Sequence, residues 1–417
     1  MKSCKYIQNA VYLAPDELRA CCQRFHVNGV MKGDVVLGKL GNHEKLTENK
    51  ILDLKEQLLS DINSGQDLRC DGCSYLIDKE WPAVRTEKLN MISIEDHSLC
   101  NMKCTYCSPT YYGNIPPQYD VDWDDLKGLI EEDCYFAWGG GEPTIRRDFE
   151  HLFSYICSDV APESYHKIFT NSLTFSAVLE KLLAQGRVQI ITSIDAGNEE
   201  VFKEIRGVRG IEKVFRNIQR YYSANPNGVT LKYILTNINS DFHNFDGFVK
   251  LISKYNLSQC PILISADFKT DTVSPILKRR ALEFYRVLTR AKIGKIIFDD
   301  HFMKRSKSTE TIWSPEISGN LPDPNKGFAI CGTGTHSDLL TLKVLDRFPN
   351  ADIVYVEKNP EIINKNERRV IGYKELQTSH KDFNVLIGST TFAREILTRL
   401  ERGNIDFNRI IPEIFLF

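Results

Sequence analysis

Between about residues 87 and 300 the chain alternates strand-like apolar runs with segments of helical apolar spacing, and no other feature limits its fold as much. The strand-like runs are Leu89–Glu95, Tyr135–Trp138, Lys167–Thr170, Val188–Asp195, Val229–Leu235 and Ile262–Asp267. Between them Trp123–Glu131, Phe149–Cys157, Phe175–Gln185 and Ile211–Tyr222 repeat apolar residues at the spacing of one helix face. Strands and helices in alternation require parallel pairing through right-handed crossovers, so these six units predict an α/β fold, a partial (β/α)6 barrel. Ligands of such folds meet the C-terminal strand ends, where the connecting loops gather.

Length and charge narrow the class further. A chain of 417 residues has room for roughly two to four domains of ~150 residues, and 42% hydrophobic with 26% charged residues is a globular composition, not a disordered or fibrous one. The 53 Lys and Arg against 55 Asp and Glu leave a net charge of −2, so neither nucleic acid nor an anionic membrane is expected as a partner. No apolar run reaches ~18 residues, and the opening Met1-Lys2-Ser3-Cys4-Lys5-Tyr6 lacks an apolar leader, which predicts a cytoplasmic protein.

In a reducing cytosol the twelve cysteines are better read as ligands than as disulfides. Eight of them, Cys4, Cys21, Cys22, Cys70, Cys73, Cys100, Cys104 and Cys107, fall in the first 107 residues, while Cys134, Cys157, Cys260 and Cys331 are scattered singly. Cys100-Asn-Met-Lys-Cys104-Thr-Tyr-Cys107 offers three thiolates on one loop. A closed structural zinc site asks for four ligands, whereas three thiolates on an iron–sulfur cluster leave one iron open to a small molecule. Zinc completed by His97 or a distant cysteine is the alternative. The scattered cysteines are expected to pack in cores.

The C-x3-C-x2-C run, with an aromatic before its last cysteine and a strand before its first, resembles the signature of the radical S-adenosylmethionine (SAM) superfamily. Tyr135-Phe136-Ala137-Trp138-Gly139-Gly140-Gly141-Glu142-Pro143-Thr144 is similar to that family's GGE motif. Lys167–Thr170 with Asn171-Ser172, Gln189–Ala196, and Glu204-Ile205-Arg206-Gly207 follow in the family's order. The resemblance implies a [4Fe–4S] cluster on Cys100, Cys104 and Cys107. It also implies SAM bound by Tyr106, Gly140, Gly141, Glu142, Asn171, Ser193 and Asp195. In that picture Glu142 is the charge partner of the methionyl amino group, Tyr106 lies near the adenine, and Ser193 and Asp195 meet the ribose or carboxylate. The glycines would let the backbone approach the ligand at positive φ. Taken without the resemblance, Asn171, Ser193 and Asp195 are ordinary strand-end caps and Arg206 a surface ion-pair partner.

Residues 1–85 carry Cys4, the Cys21-Cys22 pair and Cys70-Asp71-Gly72-Cys73, with Val27–Leu40 strand-like and Asn49–Leu59 helical. They resemble a SPASM or twitch module, an auxiliary-cluster unit that usually follows the radical SAM core instead of preceding it. The resemblance implies a second [4Fe–4S] cluster on Cys4, Cys22, Cys70 and Cys73, with Cys21 the substitute for Cys22. A zinc site on the same thiols is the open alternative. The barrel is expected over 86–312, a linker over Ser314–Lys326, and a small Rossmann-like domain over 326–417. There Gly332-Thr333-Gly334 follows a strand, Glu357 ends the next, and Ser337 stands in the place of the third glycine. This last unit reads as a nucleotide site or, preferably, as a docking domain that keeps the turn only for packing.

The function implied by the resemblance is reductive SAM cleavage followed by hydrogen abstraction from a substrate, with net oxidation or cross-linking aided by the second cluster. The partners implied are an external one-electron reductant such as flavodoxin or ferredoxin and a substrate that is a peptide or small metabolite. Epimerisation of a peptide or sugar is one alternative, and a non-catalytic metal-binding assembly protein is another.

Overall fold

The computed structural model describes the whole chain apart from residues 28, 29, 68, 268, 270–272, 294, 295, 300, 301, 303–321, 324, 359, 361–363, 390–392, 404 and 406–417. Most of the expected linker Ser314–Lys326 therefore lies outside the described residues. The chain forms two compact units, Met1–Ser193 with Phe202–Thr230, and Ile194–Val201 with Leu231–Phe417. No helix among the described residues is long and apolar enough to cross a membrane.

The first unit is organised on a sheet whose strands, in spatial order, are Val36–Lys39, Glu17–Arg19, Ala10–Ala14, Leu89–Ile94, Ile130–Trp138, Tyr165–Phe169 and Val188–Ser193. From Ala10–Ala14 onward each strand is parallel to the next, as the strand–helix alternation requires. The N-terminal residues extend this sheet: Val11 pairs with Ile92 and Leu13 with Ile94, while the two outer strands return antiparallel. The strand-like stretch Val27–Leu40 is broken at Gly33 and Asp34, both at positive φ, into Val30–Gly33 and Val36–Lys39. The expected helix Asn49–Leu59 is Glu48–Ser64, begun by a Thr47 side chain accepting from the Lys50 amide and ended by left-handed Gly65.

One expected element is different. The helix Trp123–Glu131 is a single turn, Trp123–Leu126, followed by a 3-10 turn, and the next strand begins at Ile130, five residues earlier than its apolar run suggests. Glu132 and Asp133 are exposed where the pairing register shifts, so this part of the strand carries charge and does not read as a buried strand. Further along, Phe136, Trp138, Phe149 and Phe153 pack around His166, which accepts from the Trp138 indole at 3.1 Å. Burial pushes the His166 imidazole down to about 3, so it sits in this core neutral.

The second unit contains the parallel strands Val229–Leu235, Ile262–Ala266 and Ile296–Phe298, the first two as expected and the third in addition. It also contains a five-stranded sheet in the order Asn364–Lys365, Arg368–Gly372, Ile353–Glu357, Phe328–Cys331 and Asn384–Ile387. The last four of these strands are mutually parallel. Helices Thr335–Arg347, Tyr373–Thr378 and Ala393–Arg402 accompany this sheet, and its core includes Cys331, Val354, Val356, Leu376 and Leu400.

Candidate active site and second thiol centre

The loop after strand Leu89–Ile94 carries Cys100, Cys104 and Cys107, and all three line one cavity of about 370 Å³. The same cavity is lined by Tyr106, Gly140, Gly141, Glu142, Asn171, Ser193 and Arg206, so motifs scattered over more than a hundred residues converge at the C-terminal ends of adjacent parallel strands. The loop is held from two sides. The Lys103 and Thr105 amides donate to the Arg206 and Ile205 carbonyls, each at 2.9 Å, and the Gly141 and Glu142 amides donate to the His97 and Leu99 carbonyls at 3.0 and 2.7 Å.

These contacts explain the glycines. Gly140 has φ +81°, and a Cβ there would stand 2.8 Å from the His97 carbonyl oxygen. A Cβ on Gly141 would collide with the Leu99 carbonyl oxygen, one residue before the first thiol. Gly207, at φ +75°, leaves no room for a Cβ beside Lys103. We expect Gly141→Ala to cost about 1–3 kcal/mol, read as a lower denaturation midpoint, because backbone and not a flexible side chain would have to move.

Glu142 is buried, and all of its partners belong to the protein. Oε1 accepts from the Thr144 amide at 3.2 Å and hydroxyl at 2.5 Å and from the Thr170 hydroxyl at 2.7 Å, while Oε2 accepts from the Asn171 amide at 2.6 Å. Burial pushes its carboxyl above the usual range, and these hydrogen bonds pull the other way. Glu142→Gln would set an amide NH2 against a donor whichever way the group is turned. The expected result is a loss of about 1–3 kcal/mol in chemical denaturation together with weaker SAM binding in a titration.

Asn171 continues this network, donating to Asn101 Oδ1 at 2.6 Å and lying 3.9 Å from the Cys100 sulfur. The Met102 amide donates to the Cys100 sulfur at 3.4 Å, and Asn114 accepts from the Cys100 amide at 2.8 Å. Burial pushes the Cys100 thiol up to about 11, helped by the nearby Glu142 charge. Arg206 is buried and not a surface partner: its guanidinium donates to the Tyr106 hydroxyl and to the Met102 sulfur, so Tyr106 is fixed by its side chain. Ser193 lies on the cavity wall at the end of its strand. Asp195, at φ +61°, is turned to backbone: its carboxylate accepts from the Ile234 amide at 2.6 Å and its carbonyl from Asn239 at 2.9 Å. His97 is buried and is not among the residues that line the cavity.

A second hollow is lined by Cys4, Cys21, Cys70 and Cys73, with Tyr6, Ile7, Tyr75 and Leu76 among its other walls. Of the adjacent pair, Cys21 lines this hollow and Cys22, the one preferred from the sequence, does not. Consecutive side chains of an extended chain point to opposite sides, and Cys22 points away, toward Tyr12 and Glu95. Tyr12 in turn donates to Glu95 at 3.0 Å. Burial raises the thiols of Cys4, Cys21 and Cys70, the last to about 12, with the neighbouring sulfurs adding to the shift. Among the described residues no group of three or more His, Cys, Asp or Glu has the arrangement of a site for a single metal ion. The helix Glu48–Ser64 carries Lys55, which is fully buried and donates to the Gln8 carbonyl at 3.0 Å. Burial pushes Lys55 down to about 7, and the Cys4 sulfur is the charge that opposes this. Sequence reasoning missed Lys55 and the burial of Arg206. Lys55 was readable as a lysine at a stripe position of a helix whose neighbours there are Ile51, Leu58 and Ile62.

Residues 94–248 match the family described as the Radical SAM superfamily. A GTP 3′,8-cyclase of Clostridium botulinum (strain Okra / Type B1) is 26% identical over 179 residues, 41% of this chain and 55% of that protein. Mycofactocin maturase MftC of Mycolicibacterium smegmatis is 28% identical over 162 residues, 37% of this chain and 40% of that protein. The chain thus spans about half the length of the curated relatives it matches. Streptococcus suis SuiB bound to S-adenosylmethionine superposes with a TM-score of 0.38 at 12% identity, covering 60% of this chain and 62% of that one. Members of the matched family use a [4Fe–4S] cluster and SAM. Three thiols beside a glycine cradle in one cavity suit that pair of cofactors. Residues 94–248 thus form a radical SAM domain.

Proposed function

We propose that the protein is a radical SAM enzyme that abstracts hydrogen from a substrate and completes a net oxidation or cross-link with help from a second cluster. The observation that carries this reading is the convergence of Cys100, Cys104 and Cys107 with Gly140, Gly141 and Asn171 on one cavity. When bound, a reduced cluster supplies one electron to SAM, whose C5′–S bond opens to methionine and a 5′-deoxyadenosyl radical. The chain's own residues prepare for this. The three thiols hold iron and leave one position open. The Gly140–Gly141 backbone lets the amino-acid end of SAM come close, Glu142 orders the amides and hydroxyls around that end, and Tyr106 with Arg206 walls the cavity against water. Ser193 lies where it can meet the ribose, and Asp195 orders the following strand.

Cys4, Cys21, Cys70 and Cys73 are read as the four ligands of the second cluster, because four thiols on one hollow suit a cluster with no open position. The modules are residues 1–85, 86–312 and 326–417. One relative is named a GTP 3′,8-cyclase and the other a maturase, so a small metabolite and a peptide are both candidate substrates. An external flavodoxin or ferredoxin would supply the electron. Epimerisation has less support, since Cys134, Cys157, Cys260 and Cys331 are packed in cores. The C-terminal sheet has the strand order of half a Rossmann fold, and it reads as a docking unit because the Thr333 hydroxyl already occupies Glu357 at 2.8 Å.

The test is anaerobic reconstitution with SAM and dithionite, read as 5′-deoxyadenosine by chromatography. Its formation supports the enzyme reading, and iron binding without SAM cleavage would favour the assembly-protein alternative.

A further inference from the structure

One row of side chains crosses the first unit's sheet at the foot of the Cys100 cavity. Phe169 pairs in register with Ile191, and both line that cavity. Ile94, Trp138 and Ile168 are in register on the neighbouring strands, so the next residue of each, Glu95, Gly139 and Phe169, shares a level and a face. The Glu95 side chain leans over Gly139, where a Cβ would stand 3.6 Å from its carboxyl carbon and from Oε1. Gly140, a wall of the cavity, packs on the Glu95 backbone. Phe169 keeps 40% of its surface exposed although its strand has a neighbour on either side, so this row is reachable from solvent.

Glu95 is half-buried, and the groups that meet its carboxylate are neutral. Oε1 accepts from the Tyr12 hydroxyl at 3.0 Å and the Ser93 hydroxyl at 3.2 Å. The Tyr111 phenol, itself on the cavity wall, and the Cys22 thiol face the same carboxylate. Among the described residues no lysine or arginine forms an ion pair with it: Arg19, beside Tyr12 in register, is taken by Glu17 at 2.5 Å. Neutral donors hold the group in place without cancelling its charge. A fixed, partly buried carboxylate is best matched by a cation that donates hydrogen bonds, and such charge-assisted bonds are stronger than neutral ones.

We infer that Glu95 anchors a substrate carrying a protonated primary amine, laid along the Glu95–Gly139–Phe169 row at the foot of the cavity. This rests on the reading of that cavity as the radical SAM site and names the substrate's chemistry there. Gly139 leaves the room that the amine's carbon chain crosses, and Phe169 gives that chain an apolar surface.

The experiment uses the full chain after anaerobic reconstitution, with SAM and without reductant, and three probes of one shape: benzylamine, benzyl alcohol and benzoate. Ligand-observed NMR titrations give their dissociation constants. Benzylamine should bind about tenfold tighter than benzyl alcohol, and benzoate should bind weakest. Glu95→Gln keeps an acceptor for Tyr12 and Ser93 but removes the charge, so it should weaken benzylamine about tenfold and leave benzyl alcohol within about twofold. Gly139→Ala sets a methyl in ordinary contact with Glu95 and should weaken benzylamine and benzyl alcohol together. Benzoate binding as tightly as benzylamine, no measurable benzylamine binding, or an amine preference that survives Glu95→Gln overturns the inference. Should Glu95→Gln fail to fold, the Gly139→Ala titration decides, and unchanged constants there overturn it. A portion of the wild-type sample is given dithionite and assayed for 5′-deoxyadenosine. No product with the amine preference intact is a failure of the enzyme reading alone, and product without that preference is a failure of this inference alone.

Discussion

Replacing Cys104 with alanine is expected to abolish 5′-deoxyadenosine formation and to leave any iron on the N-terminal cysteines in place. Cys104 is the middle ligand of the loop, and the loop's shape does not depend on its sulfur: the backbone bonds to Arg206 and Ile205, and those from Gly141 and Glu142, all come from amides and carbonyls. The variant should therefore fold, bind SAM weakly or not at all, and lose about half of about eight irons. Product formation falls by orders of magnitude, because no remaining group can pass an electron to the sulfonium. Anaerobic assay with iron quantification on the same sample checks both parts. Turnover at an appreciable fraction of wild type would refute the assignment of this loop.

The second large effect separates two adjacent cysteines. Cys21→Ala should lose the N-terminal cluster, about four irons, while Cys22→Ala keeps it. The reason is the direction of the side chains: Cys21 lines the hollow with Cys4, Cys70 and Cys73, whereas Cys22 faces Tyr12 and Glu95. Iron and sulfide counts on the two variants, each carrying the Cys100, Cys104 and Cys107 replacements, decide the matter. Equal losses from both, or loss from Cys22→Ala alone, would contradict the structure.

This pair shows where reading residues along the chain stops. The barrel strands were legible because strands buried on both faces run apolar, as Val188–Ser193 and Val229–Leu235 do. The convergence of Cys100, Gly141 and Asn171 was legible because a parallel fold gathers strand ends. The choice between Cys21 and Cys22 was not, since it turns on the parity of an irregular segment between strands Glu17–Arg19 and Arg24–Val27. The early start of Ile130–Trp138 was hidden by its acidic residues, and the burial of Arg206 by its resemblance to an ordinary helix-end charge. Glu142 lines the cavity, and its anchoring by Thr144, Thr170 and Asn171 is a detail that composition and spacing do not encode.

The parallel pairing of Ala10–Ala14 with Leu89–Ile94 has a consequence for how this protein can be made and cut. In an isolated barrel beginning near residue 86, the Leu89–Ile94 strand would be a bare sheet edge, with Ile92 and Ile94 on one face and Leu89 on the other beside unpaired amides and carbonyls. Such an edge recruits other chains. The N-terminal strand covers it, and the outer return strand Val36–Lys39 then presents the exposed Lys39 along the new border. Deleting the first 85 residues would therefore give an aggregating fragment and not a simpler enzyme, and loss of a cluster would be only part of the damage.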